Sequence, residues 1–589
     1  MVLDMRMVFA RGALRVRAAQ RSRPLGASRL SALAAWVLLA VGVVGQPVVS
    51  WSEETQRLQS ASVSPQGTAW LLQLTMDDDN GNGSLPTSYR RWWHCRIDGL
   101  SGGTVLSVRI ENPGYTDIIL PTWSLSTDGV TFTPYTRVPT TATPVYTGGR
   151  HAFTLTVPAG VTSLRLAKYF PYTVTQKDAF VAGLAGQAAV RSVSLLGNSW
   201  QGRPIEMIEL TDTSVPDSGK RRVWIHSGIH PAETTSYWIV EGLVDFLTSG
   251  DASASALLRG LIFNVVPMAN PDGVFLGNYR TNAMSVNLEN QWGSPYNSIQ
   301  PEIVALRTEL EAFMGTPGSP GANPVEVVLN LHSTHGVTWP YHYRHTSNPS
   351  WHPTFNPSGV LPSVNALETA WISAFKARSD FVNQGTTASS SCGSPTRPFV
   401  ECMMHDRWSA DPSWAGAPGN QAQVMAVTFE GTYGPSTTAT WNTPADWRQV
   451  GGELALALGD HLGVLPSFTF TPSVGGCPGA PLLSALVSNS GGAYAGLFLV
   501  GGVPPSATGW LLASSTLVTI PLPPTNCPLL VYPDILIPMP VTAFGTAALQ
   551  VPGTPGLNLE LSVQFVGEVN TGGGFAYYPS NRVDVQVAW

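Results

Sequence analysis

The segment Trp224-Ile-His-Ser-Gly-Ile-His-Pro-Ala-Glu233 joins an apolar run to a His and a Glu that are three positions apart. Val223 to Ile225 are β-formers and predict the end of a buried strand, which Gly228 breaks. Thr234 to Leu247 repeats apolar residues with the period of an amphipathic helix. His230 and Glu233 are therefore expected on a strand-to-helix turn, where a rigid sheet can direct side chains into a cleft.

These two side chains suit a metal ion. Zn²⁺ binds imidazole and carboxylate together, and a catalytic zinc site uses three protein ligands with one position left open. The third ligand must come from a distant segment. Residues 325–331 form another apolar run, which ends in His332, and we predict His332 as that ligand. His335 is the competing candidate; otherwise it is a pocket residue or braces a metal-bound imidazole.

A fourth polar residue follows a third apolar run. Residues 424–429 are strand-like and end in Glu430, which is placed to accept a proton from a water at the metal. An isolated His-x-x-Glu pair is more often a solvated helix start than a metal site. Four polar residues that each follow a predicted strand favour a zinc site with Glu430 as the general base.

Six motifs resemble, in their order along the chain, those of zinc carboxypeptidases of the M14 class. They are His230-Pro-Ala-Glu233, Pro267-Met-Ala-Asn-Pro-Asp-Gly273, Gly277-Asn-Tyr-Arg280, Val286-Asn-Leu-Glu-Asn-Gln-Trp292, Leu331-His332 and Phe429-Glu430. The resemblance is closest to the cytosolic-carboxypeptidase-like branch, in which a β-rich domain precedes the catalytic one. Two further stretches look like the junction of those domains: Lys168-Tyr-Phe-Pro-Tyr-Thr173 and Leu196-Gly-Asn-Ser-Trp-Gln-Gly-Arg-Pro-Ile205.

The resemblance implies hydrolysis of peptide bonds at peptide or protein C-termini, with one Zn²⁺ per chain on His230, Glu233 and His332. It implies that Glu430 takes the proton of the attacking water and returns it to the leaving amine. Arg280 matches the cation that holds the oxyanion. The alternative for Arg280 is an ordinary arginine on a surface loop.

One motif departs from the family, which usually reads Asp-Leu-Asn-Arg-Asn-Trp where this chain has residues 287–292. The usual Asp braces a zinc-bound imidazole, and Asn287 can do so only through its uncharged amide oxygen. The usual Asn-Arg pair grips the terminal carboxylate of the substrate. Glu289 and Asn290 occupy those positions here, so we expect altered recognition of the substrate terminus.

Two explanations of this departure remain open. Either Arg344 or Arg407 replaces the missing arginine, or the substrate ends in a neutral or cationic group that Glu289 can bind. Glu289 could also be paired with one of those arginines and be structural. The departure leaves three functions: a metallocarboxypeptidase with altered specificity, a zinc amidohydrolase or deacylase acting on small amides, and an inactive relative that binds peptide or glycan.

The predicted fold class is α/β with flanking β domains. Residues 60–175 alternate apolar and polar residues over short runs, which predicts an antiparallel β-sandwich. Residues 176–465 alternate strands with helices, which predicts a catalytic α/β domain with a mostly parallel or mixed sheet, and the resemblance implies an α/β/α layering. Residues 466–589 return to short strands and predict a C-terminal β domain. The 58 Gly and 48 Pro agree with a loop-rich, β-heavy chain.

The limits of the main elements follow from periodicity. Residues 270–273 are expected to form a turn. The predicted strands and helices are strand 261–266, helix 301–313, strand 325–331, helix 366–381, strand 424–429 and helix 447–462.

The N-terminus predicts a signal peptide over residues 1–45. Seven Arg precede an apolar run from Ala32 to Val44, which is short for a bilayer span of about 20 residues. Its removal takes away seven Arg and one Asp and moves the formal net charge from −6 to −12, which disfavours nucleic acid as a partner. We expect an exported protein (secreted, periplasmic or cell-surface) without stable membrane insertion after cleavage; a retained anchor is the alternative.

The five cysteines agree with export, because they allow two disulfides. Cys392 with Cys402 and Cys477 with Cys527 are the expected pairs, and Cys95 is left over. The chain has no C-x-x-C pair, so a thiolate zinc site is disfavoured.

Overall fold

The computed structural model describes residues 45–588 with internal gaps. The described ranges are 45–293, 298–316, 319–334, 339–345, 360–390, 393–394, 397–411, 423–434, 441–465, 467–472, 481–490, 493–504, 507–514, 517–522, 527–531, 535–539, 541–542, 547–552, 559–570 and 575–588. No helix within these ranges is long and apolar enough to cross a membrane.

The first part of the chain forms two five-stranded sheets, ordered β1-β4-β10-β6-β7 and β2-β3-β5-β9-β8. Their inward side chains, including Leu72, Val108 and Leu164, are fully buried in one shared core. The strands are β1 (Val48–Ser50), β2 (Ser60–Gln66), β3 (Ala69–Thr75), β4 (His94–Asp98), β5 (Val105–Glu111), β6 (Thr122–Ser126), β7 (Thr136–Arg137), β8 (Val145–Thr147), β9 (Arg150–Thr156) and β10 (Ser163–Ala167), with 3₁₀ turns at Thr87–Tyr89 and Thr140–Ala142.

This N-terminal sandwich differs from the expected purely antiparallel arrangement in one pair, because β3 and β5 run parallel. Between them the chain crosses to the other sheet as β4 and then returns. Such a crossing permits a parallel neighbour, which a tight hairpin does not. The segment between β3 and β4 contains Asp77 to Asn80, which reaches the α/β region described next.

The α/β region combines twelve strands with nine α-helices among the described residues. The strands are β11 (Val190–Asn198), β12 (Pro204–Leu210), β13 (Arg221–Ser227), β14 (Leu261–Val266), β15 (Gly315–Thr316), β16 (Ser319–Pro320), β17 (Val325–Thr334), β18 (Tyr341–His345), β19 (Thr386–Ser390), β20 (Gly393–Ser394), β21 (Arg397–Pro398) and β22 (Met425–Thr432). The helices are α1 (Val174–Gly183), α2 (Thr235–Thr248), α3 (Ala252–Gly260), α4 (Pro271–Leu276), α5 (Pro301–Met314), α6 (Pro362–Arg378), α7 (Asp380–Asn383), α8 (Val400–Met404) and α9 (Pro444–His461), with a 3₁₀ turn at Leu288–Asn290 and a π-helical turn at His405–Ser409.

Eight of these strands form one mixed sheet in the order β11-β12-β14-β13-β17-β22-β18-β19. The four central strands, β14, β13, β17 and β22, are parallel. Helices α2, α6 and α9 bury their apolar side chains on one face, against side chains such as Ile225 and Leu329. Helices α5 and α8 cover the other face, against Trp224 and Val328. The α/β/α layering and the mixed sheet confirm the predicted fold class.

Most predicted elements match, with three differences. Strand β14 has the predicted limits, but β17 and β22 continue past His332 and Glu430, so these two residues lie inside strands rather than after them. The expected turn 270–273 is the start of α4, capped by the Asn270 side chain, which accepts a hydrogen bond from the Gly273 N–H. The predicted helix 366–381 is interrupted at Ser379, whose side chain caps α7.

The C-terminal region contains only strands among its described residues. They are β23 (Ser467–Pro472), β24 (Leu482–Ser490), β25 (Ala493–Gly501), β26 (Thr508–Ser514), β27 (Leu517–Leu522), β28 (Cys527–Val531), β29 (Ile535–Met539), β30 (Ala547–Pro552), β31 (Leu559–Asn570) and β32 (Phe575–Ala588). They pair as sheets β23-β32-β31-β26-β29, β24-β25-β30 and β27-β28. Leu483, Leu511 and Phe565 lie in a common core. These sheets form the flanking β domain that the sequence predicts.

Candidate active site

The loop between β13 and α2 carries the first two candidate ligands. Gly228 begins it with φ +74°, and a Cβ at this position would lie 2.5 Å from the ring of Tyr237. The Tyr237 hydroxyl donates a 2.9 Å hydrogen bond to the Pro231 carbonyl oxygen. The loop is therefore fixed by a conformation that favours glycine and by a buried aromatic side chain. It presents His230 and Glu233 at the carboxyl end of the central strand.

Three donor groups converge at this end of the sheet. Glu233 lies 3.0 Å from His230 Nδ1 through Oε1 and 2.8 Å from His332 Nδ1 through Oε2. The two Nδ1 atoms are 3.0 Å apart. All three residues are buried. Two imidazoles and one carboxylate directed at a common point are the donor set of a catalytic zinc site.

The opposite nitrogen of each imidazole also has a partner. His230 Nε2 lies 3.1 Å from Asn287 Oδ1, and His332 Nε2 lies 3.1 Å from Glu289 Oε2. Because both partners accept hydrogen bonds, each ring holds its proton on Nε2 and keeps the Nδ1 lone pair for a metal ion. The residues present thus fit zinc.

A second donor set shares two of these residues. His230, Glu289 and His332 also offer ligand atoms that all lie within 4.8 Å of one another. We favour Glu233 over Glu289, because Glu233 contacts the Nδ1 atoms of both imidazoles. Glu289 instead lies on the Nε2 side of His332. Its other oxygen, Oε1, accepts a 3.0 Å hydrogen bond from Asn330 Nδ2.

The pKa values of the two histidines shift in opposite directions. Burial, together with the charge of Arg280, lowers the pKa of His230. Burial also acts to lower the pKa of His332, but the charges of Glu289 and Glu233 outweigh it and raise that pKa well above its ordinary value. The carboxylates on both sides of His332 therefore favour positive charge at the centre, as a cation binding there requires.

Glu430 lies on β22 directly beside His332 in the register of the sheet. Burial, reinforced by the charge of Glu233, raises the pKa of Glu430 to about 8. Its Oε2 is buried without a hydrogen-bond partner among the described residues. A carboxylate that is desolvated and unpaired in a cavity has the properties of a general base.

Arg280 follows α4 in the loop that the N-terminal sandwich holds. Its Nη1 lies 3.8 Å from Glu233 Oε1, and its guanidinium carbon lies 5.7 Å from the ring centroid of Tyr89. Burial disfavours its charge, but Tyr279 and Glu233 outweigh this effect and raise the pKa of Arg280. Arg280 is thus a permanent cation at the metal cluster, and not the surface arginine of the alternative interpretation.

Of the remaining candidate site residues, only Arg344 is found in the described lining of the cavity. Arg344 lines the cavity but is held by Glu368 and by helix α6. Arg407 does not reach the cavity, because it forms a 3.1 Å ion pair with Glu311. Asn290 accepts a hydrogen bond from Gln291 and is not part of the described cavity lining. His335 lies outside the described residues.

A cavity of about 290 Å³ opens over the cluster. Its lining includes Arg91 and Glu401, which the sequence did not single out. It also includes Tyr341, from the stretch Trp339-Pro-Tyr-His-Tyr-Arg-His345, whose aromatic and His side chains are typical of either a pocket wall or core packing. Arg91 comes from the N-terminal sandwich, some 140 positions before the first ligand, and no local motif marks it. Glu401 lies on α8 and accepts a short hydrogen bond from the Thr428 hydroxyl.

The fold and the donor set together define a metallohydrolase-type site on an α/β sheet. Residues 179–397 match the family described as Peptidase_M14, zinc carboxypeptidase. Mouse cytosolic carboxypeptidase 6 is 34% identical over 172 residues, which cover 29% of this chain and 31% of that protein. Residues 179–397 are therefore similar to zinc carboxypeptidases of the M14 family, which confirms the expected resemblance. The chain spans about a third of the length of the curated relatives it matches.

Solved structures agree at the level of the fold. The metallo-carboxypeptidase of Burkholderia cenocepacia aligns with a TM-score of 0.54 and 21% identity, over 71% of this chain and 99% of that one. The metallo-carboxypeptidase of Pseudomonas aeruginosa, solved in complex with (2-guanidinoethylmercapto)succinic acid, aligns with a TM-score of 0.55 and 20% identity, over 70% of this chain and its whole length. At 70% to 71% of this chain, the likeness spans more residues than the α/β region alone.

Proposed function

We propose that the protein is a zinc-dependent metallocarboxypeptidase, which removes residues from the C-termini of peptides or proteins. The observation that carries this proposal is the convergence of His230, Glu233 and His332 beside the unpaired carboxylate of Glu430. Zinc, when bound at that convergence, supplies Lewis-acid activation of water and of the scissile carbonyl.

The side chains around the cluster have separable tasks in this proposal. Glu430 accepts a proton from the attacking water on its carboxylate and donates it to the nitrogen of the leaving amine. The Arg280 guanidinium holds the carbonyl oxygen as negative charge develops there. Asn287 and Glu289 keep the two imidazoles in the tautomer with a free Nδ1.

We also propose that recognition of the substrate terminus is altered relative to the family. The support is that Asn290 stands where the family has an arginine, and that Glu289, next to it, is engaged by His332 and Asn330. A carboxylate with these two partners is a poor receptor for an added ammonium group, since binding it would compete with an imidazole of the metal cluster. The altered pair therefore removes the usual anion clamp at this point.

Export is a further proposal. Its support is the Arg-rich leader with a short apolar run, and Cys402, which is disulfide-bonded. Cys392, Cys477 and the side chain of Cys527 lie outside the described part of the chain. The relatives' names describe cytosolic proteins, so the compartment is a point on which this chain would differ from them.

The test is a zinc-loaded assay on a peptide library with free and amidated C-termini, in which mass spectrometry reports the products. We expect successive loss of C-terminal residues, and no release of N-acyl groups. Glu430→Gln, with zinc retained, is the matched control for contaminating peptidases. Release of acyl groups without loss of C-terminal residues would favour a deacylase. Stoichiometric zinc without turnover of either kind would favour a binding protein.

A further inference from the structure

Arg91 lies between the 3₁₀ turn Thr87–Tyr89 and strand β4. Its backbone is held at both ends. The Arg91 N–H donates a 2.8 Å hydrogen bond to the Tyr89 carbonyl oxygen, and the Arg91 carbonyl oxygen accepts one of 2.8 Å from Lys168 Nζ. Arg91 lines the cavity over the metal cluster. The N-terminal sandwich thus places an arginine with a firmly held backbone in the active-site cavity of the following domain.

Arg91 is unusual among the arginines of the described lining because its charge has no partner. Arg344 is bound by Glu368, and Arg280 lies beside Glu233. No hydrogen bond or ion pair joins the Arg91 side chain to any described residue, and its Nε is buried without an acceptor. A buried donor without an acceptor costs free energy in the free protein, which an anion bound there would recover.

The cavity lining also contains a pair of carboxylates. Strands β17 and β22 run side by side beneath it, with Asn330 paired to Thr428 and His332 to Glu430. At the first pair, Asn330 and Thr428 bridge the carboxylates of Glu289 and Glu401.

Arg91 is connected to the other end of these two strands. Beyond the second pair lies Tyr433, whose ring centroid is 5.7 Å from Lys168 Nζ, and Lys168 binds the Arg91 carbonyl oxygen. The two carboxylates are therefore held at the Asn330–Thr428 pair, whereas the Arg91 backbone is held through Lys168, which lies near Tyr433 beyond the His332–Glu430 pair. A substrate in this cavity meets both a carboxylate pair and an unpaired guanidinium.

We propose that Arg91 is a specificity-determining residue, which binds a carboxylate of the substrate on the Lys168 side of the metal cluster. The proposal rests on the peptidase function above and deepens it. A guanidinium binds a carboxylate with paired N–H donors and stays charged at every physiological pH. The carboxylate has two sources, the free C-terminus of the peptide or an acidic side chain near the scissile bond, and matched peptides separate them.

The experiment compares wild type, Arg91→Gln and Arg91→Lys on three N-acylated tripeptides. The first has a free C-terminus and neutral side chains, with Gln next to the C-terminal residue. The second is the C-terminal amide of the first. The third is the first peptide with Glu in place of that Gln. We expect Arg91→Gln to raise KM about tenfold or more for a peptide with the recognised carboxylate, and not for its amide counterpart. Arg91→Lys should recover part of the loss. The kcat values should change less than KM.

Arg150→Gln is the matched control, because Arg150 belongs to the same sandwich and forms an ion pair with Glu111 at a half-exposed position outside the cavity lining. Its kinetics should equal those of wild type. Dissociation constants of the same peptides for zinc-loaded Glu430→Gln, with and without Arg91→Gln, test the binding step without turnover.

The outcomes separate the two proposals. Loss confined to the free C-terminus assigns Arg91 to that group, and loss confined to Glu assigns it to the side chain. Equal losses on all three peptides, or no effect in either assay, would overturn the proposal. A wild-type enzyme that cleaves no peptide but whose Glu430→Gln form binds them through Arg91 would overturn the peptidase function alone.

Discussion

The carboxylate of Asp79 in the N-terminal sandwich accepts a 2.9 Å hydrogen bond from the backbone N–H of Arg280 in the active-site loop. It also accepts hydrogen bonds from the N–H groups of Tyr279 (2.7 Å) and Thr281 (2.9 Å). Asp79 itself has φ 55°, in the left-handed region that Asp tolerates better than most residues. One buried carboxylate therefore fixes the backbone of the catalytic loop from a different domain.

Asp79→Ala should lower turnover by about tenfold while zinc content stays at the wild-type level, because a loop with three unbonded N–H groups no longer holds Arg280 in place. Metal analysis and steady-state kinetics on the same preparation measure both quantities. Asp77→Ala is a suitable comparison, since Asp77 pairs with Arg57 in the same turn but does not touch the Arg280 backbone. Loss of zinc in Asp79→Ala would contradict this explanation.

Asp79 should also make stability depend on pH. Burial outweighs the three hydrogen bonds and raises the pKa of Asp79 to about 6, from 3.8 in an exposed carboxyl. Between these values the folded chain retains a proton that the unfolded chain has released. The stabilisation of the folded state by this retained proton is fully present below pH 3.8 and is lost as the pH rises through about 6.

The free energy of unfolding of wild type, relative to Asp79→Asn, should therefore fall by about 3 kcal/mol across this window. Urea unfolding at several pH values measures it. A difference that stays constant with pH would show that Asp79 is ionised throughout.

The metal site should hold about one Zn²⁺ per chain, because three buried donors already converge. Removing two of them, in His230→Ala with Glu233→Ala, should abolish binding as measured by elemental analysis. Glu289→Gln separates the two donor sets, because glutamine retains an oxygen that can accept the His332 Nε2–H. We expect it to keep zinc with weaker affinity. Complete loss of zinc in Glu289→Gln, with retention in Glu233→Gln, would make Glu289 the ligand.

Glu430→Gln should keep zinc and lose at least ~10²-fold in kcat, because the amide preserves the shape of the side chain and cannot accept a proton. Tyr341→Phe, at the neighbouring position of β18, is a control for small changes in packing. A near-normal rate in Glu430→Gln would require another base.

The altered terminal recognition is tested at Asn290 alone, since Glu289 also braces His332. Asn290→Arg should raise the ratio of kcat/KM for free-acid over amidated peptides by about tenfold, as a restored guanidinium partner for a carboxylate would. The comparison uses matched peptide pairs and wild-type enzyme. An unchanged ratio would mean that this position does not contact the substrate terminus.

The leader is predicted to be cleaved after Gly45 or within a few residues of it, with Cys477 and Cys527 disulfide-bonded in the exported protein. Peptide mapping under non-reducing conditions, together with N-terminal sequencing, reports both features. An intact N-terminus with both thiols free would place the protein inside the cell and remove the export proposal.

The sequence correctly predicted those strands and helices that have regularly spaced apolar residues. Strand β14 and the helix after Glu233 follow from apolar residues at regular spacing, because burial of one face requires that spacing. The interruption at Ser379 and the helix at Pro271 were missed, since each depends on one side chain capping a backbone N–H group. Local hydrogen bonds of this kind decide boundaries without changing the apolar pattern.

The predicted site residues illustrate a second limit. His230 and Glu233 belong to one turn, and His332 follows an apolar run that signals a central strand, so their approach was readable. The positions of Arg91 and Asp79 were not, because both depend on how one domain packs against another. The sequence left open whether Arg344 or Arg407 replaces the family arginine, and it did not reveal their ion pairs with Glu368 and Glu311. Such pairings have no local sequence signature.

The contact between Asp79 and the Arg280 loop has a consequence for sequence divergence. Asp79 accepts hydrogen bonds from main-chain N–H groups. Its hold on the loop therefore does not require particular side chains at positions 279 to 281. With Arg280 kept for catalysis, the side chains at 279 and 281 can be exchanged to suit different substrates while the loop keeps its course, provided that neither is proline, which lacks the N–H. The acid at position 79 has no such freedom. A library that randomises 279 and 281 on a fixed Asp79 would therefore retain folded members, and new specificities should be sought there.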